Sequence, residues 1–65
     1  MIALYDIVRL KKPIPAKKLE ADTKGAVLII YDEPNLPLAY EVEFVDKDGK
    51  TLAVVTLKDE DVEKV

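Results

Sequence analysis

The chain contains no cysteine, no histidine and no serine. Each absence closes a class of chemistry. Without cysteine there is no disulfide framework, a common support for a domain this small. Without cysteine and histidine the two best ligands of a structural zinc or another transition metal are missing. A catalytic site needs a nucleophile with its base, a tuned acid and base, or a metal. The threonines, Thr23, Thr51 and Thr56, stand in turn or strand positions outside any nucleophile motif. The expectation is a non-catalytic protein with no cofactor and no metal.

Long hydrophobic runs are also missing. The longest, Ala26 to Tyr31, is far short of the roughly 20 residues of a membrane helix. The segment from Met1 to Leu10 carries Asp6 and Arg9 and has none of the uncharged core of a signal peptide. With no cysteine to suggest an oxidising compartment, the expected location is the cytoplasm, with no membrane association.

What is present is one short chain of 65 residues. Such a chain buries only about 60% of the surface its unfolded form exposes, so residues 1–65 can form a single domain with a single core. A core of that size rarely supplies more than roughly 3–5 kcal/mol. Further stability would come from self-association or from a partner. The net charge is −3, yet the two halves differ: residues 1–31 hold six Lys/Arg against three Asp/Glu, and residues 32–65 hold four against ten. An acidic total disfavours broad attraction to nucleic acid or to anionic membrane.

Along the chain, Leu4 to Leu10 is rich in branched and aromatic residues and predicts a first strand. Lys11 to Lys24 contains Pro13 and Pro15, which break any ladder and predict a long ordered loop with a helical turn around Ala16 to Ala21. Gly25 opens a second strand, Ala26 to Tyr31, that is apolar on both faces. The cluster Asp32 to Pro37 predicts a turn. In the third strand, Leu38 to Asp46, Tyr40, Val42 and Phe44 alternate with Glu41 and Glu43, which turns the first set inward and the second to water. Asp46-Lys47-Asp48-Gly49-Lys50 predicts a hairpin, because Asp-Gly tolerates positive φ. The run also resembles the start of a calcium loop, but the bidentate Glu at loop position twelve is missing. The fourth strand, Thr51 to Leu57, is again apolar on both faces. Lys58 to Asp61 predicts one helical turn capped by Asp59, and Val62 to Val65 a last strand. The order is that of an all-β, five-stranded SH3-like barrel with one short helical turn before the last strand, and closure would remove the edge strands.

The chain resembles the domain-of-unknown-function family numbered four-nine-two-six, short bacterial proteins with an SH3-like barrel. The residues that carry the resemblance are Leu4-Tyr5-Asp6-Ile7-Val8, then Gly25, then Ala39-Tyr40-Glu41-Val42-Glu43-Phe44-Val45-Asp46-Lys47-Asp48-Gly49-Lys50-Thr51. The family pattern has a Gly-Asp-x-Gly-Thr turn before the second strand, where this chain has Ala21-Asp22-Thr23-Lys24-Gly25-Ala26. The first glycine and the threonine are replaced. The chain is also similar to small SH3-like subunits of photosynthetic and redox complexes, which implies docking on a larger protein.

Two surfaces are candidates for binding. If Val27 and Ile29 share the core with Val42 and Phe44, then Leu28 and Ile30 face outward. If Ala53, Val55 and Leu57 face inward, Leu52 and Val54 face outward. Leu28, Ile30, Leu52 and Val54 would then form one apolar patch, the mark of an interface. This predicts a protein-interaction module (a small subunit, adaptor or inhibitor) that meets a protein partner or forms a homodimer through that patch or through the long first loop. The alternative is a nucleic-acid-associated barrel using Lys11, Lys12, Lys17 and Lys18, although aromatic residues to stack bases are few.

Overall fold

A computed structural model describes all 65 residues. Its spine is the strand β3 (Ala39–Val45), where Tyr40, Val42 and Phe44 are each buried to 1% exposure or less and Glu41 and Glu43 stand on the other side. On one flank β3 pairs antiparallel with β2 (Lys24–Tyr31), and on the other with β4 (Thr51–Lys58). β1 (Ile7–Leu10) adds outside β2, and the short β5 (Val62–Lys64) adds outside β1. The result is one antiparallel sheet in the order β4-β3-β2-β1-β5.

Partners across a ladder share a face, so the register assigns the two sides. Val8, Gly25, Phe44 and Ala53 lie in one row. They face a core made of Val8, Leu10, Leu19, Val27, Tyr40, Val42, Phe44, Leu57 and Val62. Tyr40 buries its ring and donates its hydroxyl to Asp59 Oδ1 at 2.6 Å. Burial first, and the Asp59 carboxylate second, push the Tyr40 phenol up to about 12.

The expected all-β, five-stranded sheet is present, but it is not closed. No ladder joins β4 to β5, so the sheet keeps two edges. The open side is bridged instead by a 3-10 turn, Asp59–Asp61. The Asp59 N–H donates to the Leu38 carbonyl at the foot of β3 (2.9 Å), and the Lys11 N–H donates to the Asp61 carbonyl from the end of β1 (3.0 Å). Asp59 is also not the cap of that turn. The Lys58 N–H is satisfied by Asp61 Oδ2 at 3.0 Å, which leaves the Asp59 carboxylate for Tyr40.

β1 is shorter than the expected strand from Leu4. Tyr5 has a positive φ of 66°, and the Asp6 carboxylate accepts from the Ala3 N–H at 2.8 Å, so residues 3–6 form a turn. The long loop is ordered, with a 3-10 turn at Pro15–Lys17 and a bridge between Ile14 and Leu19. Leu19 plugs the core from this loop at 3% exposure. The Asp46–Lys50 turn forms as predicted. Gly49 has φ +82°, and Asp46 Oδ1 accepts from the N–H groups of Asp48 and Lys50. No helix is long and apolar enough to cross a membrane.

Candidate functional site

The side of the sheet away from the core is where apolar residues collect. On β4, Leu52 and Val54 point outward, while Ala53, Val55 and Leu57 pack inward, as the alternation predicts. On β2 the expectation fails. Val27 pairs with Val42 but Ile29 pairs with Glu41, so Leu28 is an extra residue in a bulge. The bulge reverses the two isoleucines that follow: Ile29 is 46% exposed, and Ile30, opposite Tyr40, packs against the core. Leu28 itself is half-buried at the kink. Of the four residues expected to form the patch, only Leu52 and Val54 are both outward and well exposed.

The outer face has a different membership. One row across the sheet reads Ile7, Ala26, Glu43, Val54, and the next reads Ile29, Glu41, Thr56. Adjacent strands lie about 4.8 Å apart, so Ile7 and Val54 are separated by roughly 14 Å. Ile7, Ile29, Val45, Leu52 and Val54 are all between 40% and 53% exposed. Sequence reasoning missed Ile7, Ile29 and Val45. The unbroken apolar run of β2 was the one sign that strict alternation would not hold there.

Between the β1–β2 side of this face and the β4 side stand Glu41 and Glu43. Hydroxyls pin both carboxylates: Tyr31 and Thr56 donate to Glu41, each at 2.9 Å, and Thr51 donates to Glu43 at 2.7 Å. The bond to Glu41 is the main reason the Tyr31 phenol titrates above its ordinary range, with burial second. Neither glutamate has a cationic partner, since the ion pairs of the chain are Arg9 with Asp22, Arg9 with Glu63, and Lys64 with Asp6. The face therefore presents two held carboxylates flanked by aliphatic side chains.

At Tyr31 and Thr56 the face runs into a cleft of ≈ 460 Å³ under the β2–β3 loop, walled by Leu36, Pro37, Ala39 and Lys58. A second cleft of ≈ 680 Å³ marks the open side of the sheet, between Lys11–Ile14 and Val55–Leu57, with Glu60 and Asp61 beside it. Lys11, Lys12, Lys17 and Lys18 are all exposed and none is ion-paired. Tyr5, the most exposed aromatic, lies at the opposite end of β1 from these lysines. No group of His, Cys, Asp or Glu side chains is arranged to hold a metal ion.

The glycine opposite Phe44 and the β3 motif thus serve the packing of one sheet, whereas Leu4 and Tyr5 of the opening motif are exposed in the turn before β1. The family model described as Domain of unknown function (DUF4926) matches residues 4–64. The chain belongs to this family. Neither the curated proteins nor the solved structures contain a match. Tyr40, Val42, Phe44 and Gly25 are buried in the core.

Proposed function

We propose that this chain is a non-catalytic, cytoplasmic interaction module of SH3-like barrel type that docks on a protein partner through the outer face of its sheet. The barrel reading is supported by the strand order, by β5 returning beside β1, and by the 3-10 turn that spans the open side. The docking reading is carried by one observation: five aliphatic side chains are exposed on one face of a chain with only nine buried core residues. Exposed apolar side chains gathered on one face of a sheet mark an interface. The two unpaired carboxylates at its centre specify the partner further, as an apolar surface that offers lysine or arginine to Glu41 and Glu43.

A second reading, nucleic-acid binding through the loop, has the four unpaired lysines in its favour. Against it stand Glu60 and Asp61, which line the same cleft as Lys11 and Lys12, and the distance of Tyr5 from the loop. The test is capture of partners with the parent, with Ile7→Asp/Ile29→Asp, and with Lys11→Glu/Lys12→Glu, at low and high salt. Docking on the face predicts a protein lost by the isoleucine variant, kept by the lysine variant and retained at high salt. A nucleic acid released by salt and by the lysine variant would reverse the assignment.

A further inference from the structure

The two edges of the sheet are not alike. β5 is three residues long and carries Glu63 and Lys64, the short and charged kind of edge that resists further pairing. β4 is eight residues long, has no proline, and carries no charge from Thr51 to Leu57. Its partner on one side is β3, and it has none on the other. The Asp59 N–H bonds the Leu38 carbonyl. Bonded pairs alternate along an antiparallel ladder, so Leu57 and Val55 turn their backbone groups toward β3, and Val54 and Thr56 turn theirs to the free edge.

We propose that the free edge of β4 pairs antiparallel with β4 of a second copy of this chain, with Val55 on the two-fold axis. The occupant follows from charge, and the register from the bulge at Leu52, where the β3–β4 ladder skips a residue. β4 is flanked by the turn bearing Lys47 and Lys50 at one end and by Asp59, Glu60 and Asp61 at the other. A two-fold antiparallel arrangement brings each basic end to the acidic end of the other copy, and does so twice. With Val55 on the axis, Val54 falls opposite Thr56 within the regular stretch Ala53–Leu57, and the basic turn at Asp46–Lys50 comes beside the acidic 3-10 turn Asp59–Asp61 of the other copy. The outward N–H and C=O groups of Val54 and Thr56 then bond one another across the axis. With Val54 on the axis, the pairing would set Thr56 against Leu52, the extra residue of a bulge in β4, and the ladder would break there. This edge is distinct from the Ile7 and Ile29 side of the outer face. Pairing there joins two outer faces into one surface without covering either.

The absence of native cysteine makes the register directly readable. Directly opposed residues that are not hydrogen-bonded to one another lie about 4.5 Å apart at Cα, within disulfide reach, whereas the two copies of Val54 would stand more than about 7 Å apart. Under oxidation Val55→Cys therefore crosslinks to a dimer and Val54→Cys does not. In sedimentation at micromolar concentration the parent runs as a dimer. Lys50→Glu and Glu60→Lys each weaken it by about tenfold, and the double variant restores it. Ile7→Asp/Ile29→Asp, which tests the docking face, leaves the dimer intact. A parent that stays monomeric overturns the proposal, as does crosslinking through Val54→Cys in place of Val55→Cys, or a double variant no better than either single one. If the dimer fails while the isoleucine variant still loses its partner, the docking face stands without it.

Discussion

Gly25→Ala isolates the contact on which the sheet is assembled. A Cβ at this position would stand 2.7 Å from Val42 Cγ1, 2.8 Å from the Glu43 carbonyl oxygen and 2.8 Å from Phe44 Cδ1. Carbon atoms prefer separations of about 3.5–4.0 Å, so all three contacts are repulsive. Val42 and Phe44 are fully buried, and the carbonyl belongs to β3. Overpacking of this sort costs about 1–3 kcal/mol, out of the roughly 3–5 kcal/mol that a core of this size supplies. Gly25 does not have positive φ, so alanine could adopt its backbone without strain. At a position free of contacts the same change would stabilise by about 0.4–1 kcal/mol through the unfolded chain. The sign therefore decides the matter. Urea denaturation should show the midpoint falling with the slope unchanged, and thermal melting a drop of about 4–8 °C for each kcal/mol lost. Adding Val42→Ala to Gly25→Ala should cost less than the sum of the two, because the cavity takes up the new methyl group. A Gly25→Ala protein as stable as the parent, or more so, refutes the reasoning.

Three further outcomes follow from the packing. Tyr40→Phe removes the bond to Asp59 and should cost about 1.5–3 kcal/mol, the range for a hydrogen bond to a charged group. The Tyr40 phenol is raised to about 12 in the fold from an ordinary 10. Its share of stability is therefore full below pH 10 and lost as pH rises from there to about 12, and denaturation midpoints across that window should fall less steeply for Tyr40→Phe than for the parent. Phe44→Ala should cost about 3–5 kcal/mol and unfold the domain, while Glu43→Ala, which removes one exposed bond from Thr51, should stay within about 0.5 kcal/mol; equal effects in chemical denaturation would mean the faces of β3 are reversed. Ile30→Asp should unfold the chain and Ile29→Asp should not, as circular dichroism would report, and the opposite result would remove the bulge at Leu28.

Much of this was legible before the structure, and the parts that were not share a cause. β3 could be read because its apolar residues are separated by glutamates, so parity alone assigns the faces. The Asp48-Gly49 turn could be read because the chemistry of positive φ is local. In β2 there is no polar residue from Ala26 to Ile30 to mark a face, and a bulge costs no pattern that the sequence displays. Parity carried past Leu28 therefore placed Ile29 and Ile30 on the wrong sides. Leu19 escaped for the complementary reason: it is a lone aliphatic among charged neighbours, and only the bridge to Ile14 turns it under the sheet. Closure was likewise beyond reach, since the residues that span the open side do so through the backbone groups of Asp59, Asp61, Lys11 and Leu38, whose side chains say nothing about it.

The bulge also connects stability with function. Without it, Ile29 would join the core, Ile30 would face out, and Tyr31, whose hydroxyl bonds Glu41, would turn inward. With it, Ile30 packs beneath Tyr40, and Ile29 stands beside Glu41 in the row next to Ile7 and Val54. Either arrangement buries one isoleucine, so burial of that pair alone does not choose between them. What the bulge changes is the outer surface, because it sets an aliphatic side chain directly against a carboxylate already held by Tyr31 and Thr56. A held carboxylate loses little freedom when it meets a cation, and an aliphatic neighbour excludes water from the pair once a partner covers it. The same side chains that leave a small protein with unburied apolar surface thus prepare Glu41 to recognise a basic group on whatever buries them.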